Sequence, residues 1–245
     1  DEDVSARATL LHVLTHTAGW VGDLFLDMGT GDTALSDFVI AMADLEQLAP
    51  LGLHYSYNNT GFNVAGHILA TITGSSFVEA LEELVLDPLK LERVFFDAGD
   101  VITYRFVVGH RVDHGTPVVA RPWPLPRAAY PAGGIVCDGA TLLRYARFHL
   151  GDGTTEDGTR LLPQNALLQM QSPQASIQGH RSIGLSWHLE DIQGLHVVDH
   201  GGGTTGQVST LMLVPDDDFA FTMVTNADKG AKAIEDVRRW LLKEQ

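Results

Sequence analysis

Apolar positions follow two periods along this chain, helical through roughly the first 175 residues and alternating after that. Leu10, Leu11, Val13 and Leu14 mark a short helix over 8–14, stopped by the turn-prone Thr15-His16-Thr17-Ala18-Gly19. A Gly- and Asp-punctuated loop covers 20–33. Leu35, Phe38, Val39, Met42 and Leu45 keep helical spacing and predict a helix from Leu35 to Leu48, ended by Pro50 and Gly52. Phe62, Ala65, Leu69 and Ile72 share one face of a predicted helix over 61–73, with Gly74 as its stop. Ser76 and Glu79 have capping-box spacing and open a helix to Leu86.

Residues 100–120 alternate weakly around His114-Gly115 and predict a hairpin, followed by a Pro-rich loop over 117–131. Asp138 caps a helix to about 149, and Pro163 opens another. Then Ile183, Leu185, Trp187 and Leu189 alternate and predict one strand. Val208 to Val214 and Phe219 to Met223 predict two more, joined by a turn at Asp216-Asp217-Asp218. An amphipathic helix over 231–243 closes the chain. Helices over about 1–175, then strands and a last helix over about 176–245, make an α+β single domain across 1–245.

Composition narrows the function classes. Hydrophobic residues make up 44% and charged residues 19% of 245, which places the chain among packed domains rather than disordered ones. The net charge of −15, with no Lys/Arg cluster, repels phosphate backbones and argues against nucleic acid as a partner. No apolar run approaches the roughly 20 residues of a membrane span. The single cysteine, Cys137, excludes an intrachain disulfide. Asp1-Glu2-Asp3 has no apolar stretch behind it and does not read as a signal peptide.

Two stretches carry candidate chemistry. In Tyr55-Ser56-Tyr57-Asn58-Asn59-Thr60-Gly61, a Tyr and an Asn two apart at a helix entrance can face one cleft, the phenol moving a proton and the amide holding a carbonyl. A helix cap accounts for the same residues without any chemistry. Asp199-His200-Gly201-Gly202-Gly203-Thr204-Thr205-Gly206, just before the strand at 207, lets a substrate approach backbone N–H groups, and is equally a flexible hairpin loop. Three histidine pairs spaced by four (His12/His16, His110/His114, His196/His200) raise a metal hydrolase, but no His-Glu-x-x-His is present and two pairs fall in strand or loop.

Taken in order, Leu14-Thr15-His16-Thr17-Ala18-Gly19, Tyr57-Asn58-Asn59-Thr60-Gly61-Phe62, Asp87-Pro88-Leu89, Pro131-Ala132-Gly133-Gly134, Ile183-Gly184-Leu185-Ser186-Trp187 and His200-Gly201-Gly202 resemble the serine β-lactamase and penicillin-binding-protein superfamily. The subgroup most similar is that of class C-like esterases, β-lactamases and D-amino-acid peptidases. The resemblance implies a β-lactamase/transpeptidase-like fold, an antiparallel sheet flanked by helices beside a mostly helical region. It also implies an acyl-enzyme attack on an ester, β-lactam or D-alanyl amide, with no metal or cofactor. By the same resemblance Tyr57 assists proton transfer, His200 holds the cationic or hydrogen-bonding position, and Gly203 N–H forms half of the oxyanion hole. Asn59, Gly201, Gly202 and Thr204 line the substrate. Ser56-Tyr57-Asn58 is a competing register, and Tyr57-x-Asn59 is preferred because Thr60-Gly61-Phe62 then falls in the family's place.

The family's nucleophile is a serine with lysine three residues on, and no serine among these 245 residues has one. The expectation is that this segment, with the N-terminal helix and first sheet strands, lies outside the chain and completes it. The alternative is an inactive relative that binds peptidoglycan peptides or a partner protein. A periplasmic or secreted location is what the family implies; the residues themselves leave the compartment open.

Overall fold

The structure, a computed structural model, describes residues 2–244. Its helices are α1 (Glu2–Arg7), α2 (Leu10–Leu14), α3 (Ala34–Ala41), α4 (Asn59–Thr73), α5 (Phe77–Leu81), α6 (Ala98–Val101), α7 (Tyr130–Gly133), α8 (Gly139–Leu150), α9 (Gln164–Met170) and α10 (Gly230–Glu244). Its strands are β1 (Val94–Phe95), β2 (His110–Asp113), β3 (Thr116–Val119), β4 (Val136–Cys137), β5 (Ala175–Ser176), β6 (Arg181–Ile183), β7 (His188–Ile192), β8 (Leu195–Thr204), β9 (Gln207–Val214) and β10 (Phe219–Thr225). No single helix among the described residues is long and apolar enough to cross a membrane.

The last six strands form one antiparallel meander in the order β10-β9-β8-β7-β6-β5. Pleating sends alternate residues to opposite faces. Val198, Leu211 and Leu213 meet Ala146, Leu142 and Tyr145 of α8, whereas Val197, Met212 and Val214 meet Leu242 of α10. Because both faces are covered, β9 reads as a continuous apolar run from Leu211 to Val214 rather than as an alternation. Helices on an antiparallel sheet are the α+β, β-lactamase/transpeptidase-like arrangement predicted from sequence.

Local signals locate most elements. Asn58 caps α4, Gly74 ends it at φ 71°, Ser76 and Glu79 form the capping box of α5, and the Asp138 side chain accepts from Thr141 N–H at the start of α8. The helix predicted to Leu86 does continue, with Glu82–Leu86 wound as a π turn. His114 and Gly115, both at positive φ, make the two-residue turn between β2 and β3.

Three expectations are corrected. The predicted helix 35–48 leaves α-helical geometry after Ala41. Leu48 and Ala49 N–H instead donate to the Gly19 carbonyl, and Gln47 Nε2 donates to Ala18 O, so tertiary bonds to the 18–19 turn outweigh further helix. The alternation at 183–189 is not one strand but a reversal: Ile183 pairs with His188 across a turn at 184–187 with Ser186 at φ 70°. That turn is pinned by Ser186 N–H to Leu14 O and Leu185 N–H to Met170 O. On α4 the fully buried positions are Thr60, Gly61, Asn63 and Gly66, while Ile72 is exposed. Small residues win there because Pro131 and Phe77 press against Gly66.

Leu213 is fully buried between α8 and β8. Leu213→Ala is expected to lower unfolding free energy by about 2–5 kcal/mol in denaturant titration. A change below about 1 kcal/mol would mean that this face of the sheet is loosely packed.

Candidate active site

The site is built around a side chain that does no chemistry. Asn58, 2% exposed, accepts from Gly61 N–H at 2.6 Å and donates to the Trp20 and Val21 carbonyls, while its own backbone N–H donates to Nδ1 of His16 at 2.9 Å. Two residues on, Thr60 donates through both its hydroxyl and its N–H to Gly22 O, and accepts from Leu24 N–H. These bonds clamp the 20–24 loop to the first turn of α4. Gly22 has no alternative, since a Cβ there would stand 2.4 Å from the Tyr57 carbonyl oxygen. With Asn58 turned inward, its neighbours turn outward: Tyr57 is 41% exposed, and Asn59 donates its amide to Asp23 Oδ1 at 2.7 Å.

The second wall is β8. On one side β7 ends at His188, opposite Asp199, so from His200 onward β8 is paired to β9 alone. Gly201, Gly202, Gly203 and Thr204 are exposed and present an unpaired strand edge. The glycine run, open to reading as a loop, is therefore strand, and the turn is Thr205-Gly206, with Gly206 at φ 70° against His110. Glycines keep this edge bare of side chains, so a ligand can reach the backbone groups.

Between the two walls lies a cluster of rings. His16 stacks on Tyr57 with ring centroids 4.5 Å apart, Tyr57 faces His200 at 6.2 Å, and His188 lies parallel to His200 at 5.2 Å. The Tyr55 hydroxyl bonds His188 Nε2 at 3.0 Å. His16 holds its place at a strained φ of 56°, accepting from Asn58 N–H, which puts its proton on Nε2. Burial, and secondarily the nearby His200, lower His16 and His188 to about 4; burial also lowers His200. The cluster is thus three neutral imidazoles at neutral pH. Tyr57 is shifted upward, first by burial and then by the Asp23 carboxylate, so it is a neutral phenol. The nearest guanidiniums, Arg181 and Arg238, lie against Glu190 and Asp199 and are neutralised there. Chemically the site can donate, accept and relay hydrogen bonds, but these residues supply no free cation to it.

Of the residues singled out from sequence, Tyr57 and His200 come together, Asn59 stands beside them through Asp23, and Gly201 to Thr204 form the facing edge. Sequence reasoning missed Asp23, Tyr55 and His188 as members, and took His16 only as part of a motif. Tyr55 shares the alternation of Tyr57, a signal present but unused; Asp23 and His188 are brought in by long-range hydrogen bonds that no local spacing announces. Among the described residues no three His, Cys, Asp or Glu side chains are grouped as a metal site. The paired histidines separate: His12 caps α2 with Thr9, and His110 bonds Asn226.

The Beta-lactamase family matches the chain over residues 1–245. The chain belongs to that family. Within this Beta-lactamase family, Penicillin-binding protein 4 of Amycolatopsis lactamdurans is 34% identical over 251 residues, covering 100% of this chain and 66% of that protein. An unguisins hydrolase of Aspergillus campestris is 23% identical, covering 90% of this chain and 42% of that one. Among solved structures, SurE superposes with a TM-score of 0.82 at 27% identity, over 95% of this chain and 54% of its own. A class C beta lactamase from Rhodobacter sphaeroides gives 0.76 at 18% identity, over 98% and 74%, a likeness of fold. The chain thus spans less than two thirds of the two named relatives.

Neutral histidines carry a pH signature. Unfolded, each imidazole titrates near its ordinary 6.5; folded, His16, His188 and the core histidine His149 titrate near 4. Between those values the unfolded chain binds more protons, so stability is complete above about pH 6.5, declines as pH falls toward 4, and levels off below. Imidazole NMR titration is expected to give midpoints near 4 for His16 and His188. Midpoints near 6.5 would show solvated rings and no closed cluster.

Proposed function

We propose that this chain carries the Tyr57 and His200 walls of a serine hydrolase that works through an acyl-enzyme, the nucleophile coming from a Ser-x-x-Lys segment outside these 245 residues. The observation that carries the reading is the convergence of Tyr57, from the helical half, on His200 and the unpaired Gly201–Thr204 edge of the sheet. An extended substrate lies along such an edge by backbone hydrogen bonding. Tyr57-x-Asn59 is the productive register, because Asn58 is consumed inside the fold.

In this mechanism the serine oxygen attacks a carbonyl carbon of an ester, β-lactam or amide, and Gly203 N–H shares the developing oxyanion charge. The serine proton passes to the lysine amine and Tyr57, and Tyr57 returns a proton to the leaving group. Tyr57 is held neutral here, so it serves as a proton donor; the positive charge that would ease its ionisation is the lysine of the missing segment. His200, neutral through burial, orients substrate by hydrogen bonding rather than by charge. Membership of the family, and relatives named as a penicillin-binding protein and an unguisins hydrolase, favour hydrolysis of amide-type bonds.

Two measurements test this. Intact-mass analysis of the full gene product after a serine-reactive fluorophosphonate is expected to show one adduct, on a serine followed three residues later by lysine. No adduct would sink the acyl-enzyme and leave a binding module. Tyr57→Phe in the same protein is expected to lower kcat by about 10²–10⁴-fold with the adduct-forming serine intact; unchanged turnover would remove Tyr57 from the chemistry.

A further inference from the structure

We propose that Asp23 makes this site selective for substrates with a free, protonated amine beside the scissile carbonyl, such as unblocked amino-acid amides, esters and peptide amino ends. The scissile part of this statement rests on the hydrolase reading above. The amine part rests on geometry of its own.

Asp23 is a built feature of the site. The clamp from Thr60 to Gly22 and Leu24 brackets it on both sides, and Asn58 holds Trp20 and Val21 just before it. Its carboxylate is exposed, yet one oxygen is fixed against Asn59 Nδ2 at 2.7 Å. An ionised carboxylate only accepts, so the NH₂ side of the Asn59 amide must face Asp23. The remaining acceptors, Asp23 Oδ2 and Asn59 Oδ1, take no hydrogen bond from the described residues. Two free acceptors side by side, one of them charged, suit a donor-only cation with several N–H bonds, which describes an ammonium group.

Charge points the same way. Asp23 has no ion-pair partner among the described residues, and its field reaches the chemistry, since it is the charge that raises the Tyr57 hydroxyl. His16, His188 and His200 are neutral, and Arg181 and Arg238 are occupied by Glu190 and Asp199. These walls therefore attract an ammonium and repel a carboxylate placed beside the Tyr57–Asn59 turn.

The test compares alanine p-nitroanilide with its N-acetyl counterpart, in both enantiomers, on the full-length protein at pH 7. The expected result is a preference for the free amine that Asp23→Asn abolishes, lowering kcat/KM for amine substrates about 10–100-fold while leaving the acetylated ones nearly unchanged. An equal fall for both pairs would overturn the proposal, because it would mean that Asp23 merely positions Asn59. Turnover without amine preference in the wild type would overturn it too, with the hydrolase reading intact. A binding arm separates the two ideas: alaninamide and N-acetylalaninamide are titrated against the Asn59 side-chain amide by NMR. Amine-selective binding lost in Asp23→Asn, with no turnover of any substrate, sustains Asp23 as the ammonium anchor and sinks the hydrolase reading. Neither turnover nor amine-selective binding would overturn both.

Discussion

Asn58 has every polar group of its side chain committed, and the site depends on that commitment. A buried amide left unpaired would cost on the order of 1–3 kcal/mol per lost partner, so its bonds to Gly61, Trp20 and Val21 fix the 20–24 loop relative to α4. They also fix which way the turn faces. Adjacent residues at a helix entrance diverge, so burying Asn58 is what exposes Tyr57 on one side and Asn59 on the other. His16 belongs to the same knot, because its strained backbone is held by the hydrogen bond from Asn58 and its ring then becomes the floor on which Tyr57 stacks. One capping residue thus sets the aim of three site residues.

The sheet contributes by stopping early. β8 outlasts β7 after Asp199, and that mismatch leaves a bare edge beside His200. An unpaired edge is normally a liability; here it is short, glycine-rich and next to the ring cluster, where backbone N–H and C=O groups can be used by a ligand. The same register sets Asp199 beneath the end of β7, 3.9 Å from His188 Nδ1, while the Tyr55 hydroxyl engages Nε2. The neutral ring of His188 accepts from Tyr55 and turns its Nδ1–H toward the carboxylate, and in that orientation it lies flat against His200.

Periodicity and punctuation made the helical caps, the hairpin at His114-Gly115 and the last strands legible, because each is decided by residues within a few positions of one another. The failures share a cause. Helix 35–48 was cut short by bonds to the 18–19 turn, the 183–189 alternation was folded back by a turn bonded to Leu14 and Met170, and α4 buried its small face because Pro131 lies close to Gly66. All three are tertiary contacts overriding a correct local preference. The site divides in the same way. Tyr57 and His200 were legible as motif residues, whereas Asp23, Tyr55 and His188 depend on hydrogen bonds and strand register that the order of residues does not display.

The charges behind β8 explain how an acidic chain can hold two guanidiniums so near a site that they do not serve. Arg238 contacts Asp199 directly and lies 3.8 Å from Glu190, and Arg181 bridges the same two carboxylates at 3.8 Å. Asp199 is 6% exposed, and its burial raises the carboxyl against the pull of both arginines. Such a buried group adds little net stability as a pair but is costly to break, since either member alone would be an uncompensated charge. Its effect is therefore to tie α10 to β7 and β8 and to remove the arginine charge from the cleft. What remains facing the cleft is uncharged on the sheet side and negative on the Asp23 side, an asymmetry that follows from the pairing of these four residues and not from the net charge of the chain.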